Sequence, residues 1–375
     1  MIPISVFESV LRNALSPIAP FLDDESVTEI AINGPGEIFI ERKGQLSRTD
    51  ASFTSVDSLL SALRVVAQYM GRPLDEMHPI LEARIPDGSR LEAVLAPIAP
   101  DGPAVSIRRF SKDRLTLAKL LQFGALTEDS VDLLKVLIEC KQNIVVAGGT
   151  GSGKTSLLNA LSSLIPKGER LIVIEDAREL QLQRDHVVQL EARPPDAKGK
   201  GAVTIRDIFK ASLRMRPDRI VLGEIRGGEA LDLIQAMTSG HGGCLTTVHA
   251  TYPSDTLNRL ETLALMGGVD LPLHALRMQL ASAVDIVVQT ARLRDGRRRV
   301  THISEVLGTD NNYGYRISDL FVCRTARPRS DGSVPVEFLP TGALPGCMDV
   351  IQAHGLSIPS SMYNAATAGA PGRSQ

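Results

Sequence analysis

A glycine-rich stretch in the middle of the sequence has the residue types and spacing of a phosphate-binding loop. Four residues separate Gly148 from Gly153, and Lys154 and Thr155 follow at once. The stretch follows an apolar run and opens a helical pattern, which is the context that a P-loop requires. Backbone N–H groups and the helix N-terminus would bind phosphate oxygens, and only glycine tolerates both the dihedrals and the close approach. The expected nucleotide-binding residues are Gly148, Gly149, Thr150, Gly151, Ser152, Gly153, Lys154, Thr155 and Ser156.

Two apolar runs downstream end in carboxylates of the kind that hydrolysis needs. Glu175 and Asp176 end one run, and Glu224 ends another. In an open parallel sheet the carboxyl ends of the strands meet at the crevice where ligands bind, so these side chains should face the phosphates. Gly223 stands where a conventional Walker B strand carries aspartate, so Glu224 is expected to take the metal-facing role. We therefore expect Mg²⁺ to be held by Thr155, Glu175 and Glu224.

Two histidines flank a further short strand pattern. His241 is predicted at a helix end within a glycine cluster, and His249 at the end of the strand. A lone histidine is more often structural. Because both flank one strand next to the presumed site, we expect them to sense the phosphate.

Arginine is dense between residues 206 and 226, which a solvated helical face would also explain. An arginine supplied by a neighbouring subunit can raise the rate of phosphoryl transfer roughly 10³–10⁵-fold. We therefore take Arg206, Arg214 and Arg219 as catalytic candidates. Arg108 and Arg109, at the end of the first domain, are expected to contact the nucleotide. In contrast, the arginine-rich run 292–299 is interpreted as an exposed hairpin tip.

Strand patterns alternate with helical patterns from residue 143 onward, which predicts a parallel sheet covered on both faces. Residues before this point predict a smaller α/β domain with short strands and one helix over 56–70. The expected organisation is an N-terminal domain at 1–111, a nucleotide-binding domain at 112–305, a small C-terminal region at 306–364 and a disordered tail at 365–375.

Composition sets limits on location and partners. The net charge of −2 gives no drive toward nucleic acid, and four widely spaced cysteines without a CxxC pair indicate neither zinc nor disulfides. No apolar run reaches the roughly 18 residues of a membrane span, and no signal peptide is evident. We expect a cytoplasmic protein that does not span the membrane or bind nucleic acid.

The run from "GGTGSGKT" through "IEDAREL" to "VLGEIRGGEA" and "SGHGGCLTTVHA" resembles the secretion and pilus traffic ATPases. Walker A, Asp box, atypical Walker B and His box occur in the family's order. Within that family, "LSPIAPFLDDESVTEIAINGPGEIFIERKGQL" and the late "FLPTGALP…HGLSIPSSMY" are most similar to the CpaF (TadA-type) ATPases of tight-adherence pili.

This resemblance implies a RecA-like P-loop domain behind the N-terminal α/β domain, with ATP and Mg²⁺ as ligands. It also implies a homohexameric motor that powers assembly, and possibly retraction, of a tight-adherence or type IV-like pilus. Such a motor would dock at the bacterial inner membrane through platform proteins. A conjugation-type (type IV secretion) ATPase remains the alternative within the family. Outside it, a small-molecule kinase, a switch GTPase and a DNA translocase are disfavoured, because no lid and acceptor arrangement, NKxD motif or interleaved basic and aromatic residues are apparent.

Overall fold

The structure is a computed structural model that describes residues 4–42, 44–110, 115–182, 184–196, 199–326 and 334–368. The chain divides into two compact units. The first comprises Met1–Arg114 with Pro194–Ala202, and the second comprises Leu115–Arg193 with Val203–Gln375. No described helix is both long enough and apolar enough to cross a membrane.

The first unit is built on a six-stranded sheet in the order β3-β2-β1-β6-β5-β4, with every neighbouring pair antiparallel. Helix α3 starts with a capping box in which Ser55 and Ser58 bond each other's backbone, and it buries an apolar stripe in the core of this unit. The elements are α1 (Ile4–Ala14), α2 (Ala19–Asp23), β1 (Val27–Asn33), β2 (Ile38–Arg42), β3 (Gln45–Arg48), α3 (Val56–Tyr69), β4 (Ile80–Arg84), β5 (Arg90–Val94) and β6 (Ala104–Arg108).

The second unit has a nine-stranded sheet in the order β15-β14-β13-β12-β7-β11-β10-β8-β9. Strands β12, β7, β11, β10, β8 and β9 are parallel, and β12 to β15 are antiparallel. Its strands are β7 (Ile144–Gly148), β8 (Leu171–Glu175), β9 (Val187–Glu191), β10 (Arg219–Leu222), β11 (Leu245–His249), β12 (Ile286–Arg292), β13 (Arg298–Thr309), β14 (Tyr315–Thr325) and β15 (Val336–Pro340). Its helices are α4 (Leu117–Gln122), α5 (Glu128–Glu139), α6 (Lys154–Ser162), α7 (Ile205–Ser212), α8 (Glu229–Thr238), α9 (Pro253–Leu265), α10 (Leu273–Ala283), α11 (Met348–Ala353) and α12 (Ser360–Ala368).

The parallel strands are buried on both faces, as the alternation of strands and helices predicts. Along β7, Ile144 and Val146 enter one hydrophobic cluster, whereas Val145 and Ala147 enter the other. Successive strand side chains point to opposite faces, so each face needs its own cover of helices. The predicted α/β architecture is thus confirmed.

The structure does not set residues 306–364 apart as a separate region. Strands β14 and β15 extend the sheet of the second unit, and Ile351, Ile358 and Met362 belong to its core. The physical reason is that β13 pairs with β12 and β14 at once, so the antiparallel strands continue the parallel sheet without a break. The tail predicted to be disordered begins within α12, and residues 369–375 lie outside the described part of the chain.

Candidate active site

The P-loop connects β7 to α6 and depends on glycine at defined positions. Gly151 and Gly153 have φ of +68° and +95°, in the left-handed region that side chains rarely adopt. Gly153 is also the residue before the first turn of α6, which begins at Lys154. The loop therefore presents backbone N–H groups at a helix N-terminus, as an anion site requires.

Lys154 is buried and points its ammonium back over the loop. Its Nζ donates to the carbonyl of Gly149 at 3.0 Å and lies 3.3 and 3.4 Å from the two ring nitrogens of His249. His249 ends β11, which pairs with β7 so that His249 stands opposite Gly148. The parallel register thus places His249 next to Lys154.

The inner side of the loop rests on β12. The hydroxyl of Ser152 lies 2.8 Å from that of Thr290, and Thr290 in turn donates to the carbonyl of Ala147 at 3.0 Å. A Cβ atom added at Gly148 would lie 2.2 Å from the Thr290 hydroxyl and 2.4 Å from that of Ser152. The first glycine of the motif is therefore required by this close packing as well as by nucleotide approach.

Glu224 follows β10 and lies between His249 and Arg226. Its Oε2 accepts from Arg226 Nε at 2.6 Å. Its Oε1 atom is buried, lies 2.7 Å from Nε2 of His249, and accepts no aligned hydrogen bond from the residues that the structure describes. Lys154, His249 and Glu224 thus form one continuous polar cluster at the carboxyl ends of the strands.

Glu175 ends β8 and is almost fully buried, with 3% of its surface exposed. Its Oε1 accepts from the backbone N–H groups of Glu179 and Leu180, both at 2.8 Å. Burial raises the pKa of Glu175, although the two backbone hydrogen bonds act in the opposite direction. Gly223 lies beside it, since a Cβ added there would be 2.9 Å from Glu175 Cγ. The glycine before Glu224 therefore makes room for Glu175.

The electrostatics of the cluster favour a neutral imidazole. Burial and the nearby Lys154 ammonium lower the pKa of His249, and the Glu224 carboxylate opposes them only in part. At neutral pH His249 can therefore donate one hydrogen bond and accept another between Lys154 and Glu224.

His241 is not brought to this cluster. It precedes β11, whereas His249 ends that strand, so the five strand residues Leu245–His249 separate them. At about 3.3 Å per residue such a strand spans more than 10 Å. The Nδ1 atom of His241 is buried without a hydrogen bond among the described residues. The backbone carbonyl of His241 accepts a hydrogen bond from the Cys244 thiol at 3.0 Å.

Two of the three arginine candidates have structural contacts. Arg219 starts β10, at the strand end opposite Glu224, and its exposed fraction is only 1%. It pairs with Glu169 at 2.5 Å and donates to the carbonyl of Ile138 at 2.6 Å. Arg206 pairs with Asp232 at 2.5 Å and thereby joins α7 to α8. Arg219 is thus buried within its own chain, and the Arg206 side chain, although 32% exposed, is bound to a carboxylate of its own chain.

Arg214 differs from both. Its side chain is exposed just after α7, in a chain segment that leads to β10. An exposed guanidinium is what a contribution to a neighbouring subunit requires. Of the three, Arg214 therefore retains the catalytic hypothesis.

Arg108 and Arg109 lie at the end of β6 in the first unit. Arg108 is exposed and stands in register with Glu29 and Arg90. The guanidinium of Arg109 donates to the backbone carbonyls of Phe21 and Asp24. Arg108 thus presents a charge at the surface of its unit, and Arg109 stabilises the segment before β1.

Two arginines at the site are outside the catalytic set taken from the sequence. Arg226 bridges Glu224 and Asp176, with 3.2 Å between its Nη1 and Asp176 Oδ2. Arg298, in the run interpreted as an exposed hairpin tip, donates from Nε to the carbonyl of Gly151 at 2.8 Å. No local signal marks Arg298, because the contact joins residues 147 positions apart and depends on β12 lying beside β7.

The residues present fit a magnesium–nucleotide complex. Mg²⁺ bound to phosphates needs only one or two protein ligands and completes its shell with water. The Thr155 hydroxyl at the start of α6 and the buried, unbonded Oε1 of Glu224 are hard oxygen donors of the right kind. Within the described residues, no group of three or more His, Cys, Asp and Glu side chains is placed to hold a metal alone.

Sequence comparisons place these features among known proteins. A family model described as "Type II/IV secretion system protein" matches residues 12–317. A putative conjugal transfer protein of Mycobacterium tuberculosis is 35% identical over 293 residues, which are 76% of this chain and 83% of that protein. The type IV secretion system protein VirB11 of Brucella suis is 36% identical over 321 residues, which are 78% of this chain and 88% of VirB11.

Solved structures agree on the fold. The pilus retraction motor PilT with bound ADP superposes with a TM-score of 0.53 at 18% identity, covering 96% of this chain and 93% of PilT. The ATPase DotB of Legionella pneumophila gives a TM-score of 0.54 at 17% identity, covering 82% of each chain. At these identities the likeness concerns the fold alone.

Proposed function

This chain belongs to the type II/IV secretion system protein family, and we propose that it is the traffic ATPase of a conjugation or type IV secretion apparatus. It is an enzyme that hydrolyses ATP. The observation that carries the assignment to a branch is the identity of 35–36% to a putative conjugal transfer protein and to VirB11, over more than three quarters of the chain. The cluster of Lys154, His249 and Glu224 supports the proposed site.

In this proposal the chain's own residues divide the work of hydrolysis. Lys154 exchanges its contacts with Gly149 and His249 for phosphate oxygens of ATP, which P-loop lysines bind at the β- and γ-phosphates. Neutral His249 then remains next to Glu224 and can donate a hydrogen bond to the γ-phosphate. Thr155 would hold Mg²⁺, which neutralises phosphate charge when bound, and the Oε1 of Glu224 then stays available as a base.

Glu224 is the proposed acceptor for the proton of the attacking water. Its Oε1 lies 2.7 Å from His249 and lacks an aligned hydrogen bond among the described residues, so that oxygen can take a new one. Glu175 has a different role, because its Oε1 is held by two backbone amides. We propose that Glu175 fixes the end of β8 beside Gly223 and supports the metal side of the site.

The proposal includes a homohexameric ring that docks on membrane-bound partners of the apparatus at the inner membrane. Ring ATPases can place an arginine of one subunit at the phosphate of the next, and Arg214 is the exposed candidate for that role. Arg108 is the exposed candidate in the first unit. Their assignment is tested by mixing wild-type and variant subunits. If the residue acts in trans, its substitution inactivates the site of the neighbouring subunit.

A second candidate is the assembly ATPase of a tight-adherence pilus. Its support is the sequence resemblance of residues 15–46 and of the segment from Phe338 to Tyr363. The second of these lies beyond the residues that the family model matches. Because the named relatives above carry conjugal-transfer and type IV secretion names, we place this candidate second.

The activity is tested with purified full-length chain. The wild-type chain should hydrolyse ATP, and Lys154→Ala should abolish nucleotide binding or turnover. Arg294→Ala is a matched control, because it removes one positive charge from an exposed position of the β12–β13 hairpin. Turnover by Lys154→Ala at the wild-type rate would refute the assignment of the site.

The branch is tested in the source organism. Complementation of a deletion strain with wild-type or Lys154→Ala protein should restore DNA or protein transfer only with the wild type. Loss of surface pili with normal transfer would instead favour the tight-adherence candidate and overturn the first.

A further inference from the structure

We propose that Arg298 is a positioning residue of the nucleotide site, which holds the tip of the P-loop in its binding-competent conformation from the β12–β13 hairpin. The proposal deepens the proposed function and rests on it. It starts from a contact outside the sequence motifs, in which Arg298 Nε donates to the carbonyl of Gly151 at 2.8 Å.

The P-loop tip needs support from outside. Gly151 is exposed, has φ of +68°, and has no side chain with which to pack. A glycine-rich segment has many accessible backbone conformations, so an external hydrogen bond is what selects one of them. Arg298 supplies such a bond, and its Cδ lies 3.4 Å from where a Cβ of Gly153 would be. One side chain thus covers two glycines of the loop.

The backbone of Arg298 is held in place by its neighbours. It begins β13 and pairs with Arg292 of β12 across the hairpin. The next residue, Arg299, is buried and donates to the carbonyl of Phe123 at 2.5 Å. The turn is closed by Leu293, whose N–H donates to the carbonyl of Arg297 at 2.8 Å. An arginine with an anchored backbone can hold a glycine-rich loop tip in one position.

The same hairpin also holds the inner side of the loop. Thr290 of β12 meets Ser152 at 2.8 Å, while Arg298 of β13 meets Gly151 on the outer side. The two contacts are eight residues apart along the hairpin and act on adjacent loop residues. The hairpin therefore clamps the P-loop between a buried hydroxyl and an exposed guanidinium.

A clamp of this kind should act on nucleotide affinity more than on the chemical step. Apparent affinity falls in proportion to the fraction of molecules whose loop is competent to bind. One partly exposed hydrogen bond from a charged donor corresponds to a loss of roughly three- to tenfold in affinity. The bound state restores the loop, so turnover at saturating ATP should change little.

The test compares Arg298→Ala, Arg298→Lys and Arg294→Ala in the full-length chain, with a fluorescent ADP analogue as the binding probe. We expect Arg298→Ala to weaken ADP binding and raise KM for ATP by about three- to tenfold, with kcat within about a factor of two. Arg298→Lys should not restore affinity, because lysine has no donor at the Nε position. Arg294→Ala, which removes an exposed charge from the same hairpin, should bind like the wild type.

Two results would overturn the proposal. Wild-type affinity in Arg298→Ala would mean that the contact does no positioning. Full recovery in Arg298→Lys would mean that only the charge matters. Melting temperatures should match the wild type in all three variants, and a parallel loss of stability and kcat in Arg298→Ala would also refute it. If Lys154→Ala binds the ADP analogue normally, the proposed site fails instead, so the two failures are distinguishable.

Discussion

Arg219→Met tests whether Arg219 is a structural residue rather than a catalytic one. The guanidinium is buried at the start of β10 and pairs with Glu169 at 2.5 Å. It also donates to the carbonyls of Ile138 at 2.6 Å and Gly243 at 3.3 Å. Methionine fills a similar volume but has no donor. The substitution therefore leaves the Glu169 carboxylate and the Gly243 carbonyl without this donor, whereas the Ile138 carbonyl still accepts from the Lys141 N–H at 3.1 Å.

The structure allows an order-of-magnitude estimate of the loss. Breaking a buried ion pair by removing one partner costs about 3–5 kcal/mol, and each buried acceptor left unsatisfied costs about 1–3 kcal/mol. The Glu169 side chain is 18% exposed, so water can solvate it in part and lower the cost of breaking the ion pair. We expect a net loss of about 3–5 kcal/mol in the free energy of unfolding. That corresponds to a fall of roughly 10 °C in the melting temperature of a unit of this size.

The assay is thermal and urea unfolding of the full-length chain, followed by ATPase measurements well below the melting temperature. Arg214→Met is the matched control, because Arg214 is exposed and its loss should change stability by less than about 0.5 kcal/mol. The reasoning would be refuted if Arg219→Met melted like the wild type and yet lost its ATPase activity. That result would return Arg219 to the catalytic set.

Three further predictions follow from contacts at and near the site. Glu224→Gln should bind ADP like the wild type and lower kcat for ATP by about 10²–10⁴-fold, because the amide cannot accept the proton of the attacking water. Gly223→Ala should lower ATPase activity and destabilise the unit by about 1–3 kcal/mol, because the new Cβ would lie 2.9 Å from Glu175 Cγ. Asp285→Asn should flatten the pH dependence of stability measured by urea unfolding as the pH rises above about 4. Burial raises the pKa of Asp285 despite its hydrogen bonds to Asn143, so its contribution is present below the unfolded pKa and is lost as pH rises through the folded one.

Each of these predictions has an outcome that contradicts it. Normal turnover by Glu224→Gln would remove the glutamate from the mechanism. A Gly223→Ala variant with wild-type activity would mean that Glu175 can move without consequence. For Asp285→Asn, a stability difference from the wild type that stays constant with pH would show that this carboxyl does not titrate differently in the folded chain. Arg294→Ala serves as the activity control for the first two.

Much of the site was predictable from local sequence. The run Gly148–Thr155 places a strand end, two glycines that can adopt positive φ and a helix start within a few residues, so backbone sterics predict a phosphate-binding turn there. Apolar runs that alternate with helical patterns indicated the parallel sheet, and the order of the motifs identified the family.

The roles of the arginines and histidines were less predictable. His241 and His249 are eight residues apart, and because strand β11 runs between them in an extended conformation, only His249 reaches the carboxyl end of the sheet. The density of arginine near residue 219 indicated a charged surface. Whether one guanidinium is exposed or buried depends on the partner that packs over it, and Glu169 is 50 positions away along the chain.

The sequence by itself determined the class of fold, the P-loop and the carboxylates at the strand ends, because all of these depend on short-range patterns. Only the tertiary structure decided which side chains meet at the loop. Strand β12 pairs with β7, and that pairing brings Thr290 and Arg298 against the P-loop from about 140 residues away. Contacts of such long separation depend on strand order, and strand order is set by the packing of the whole sheet rather than by any local run of residues.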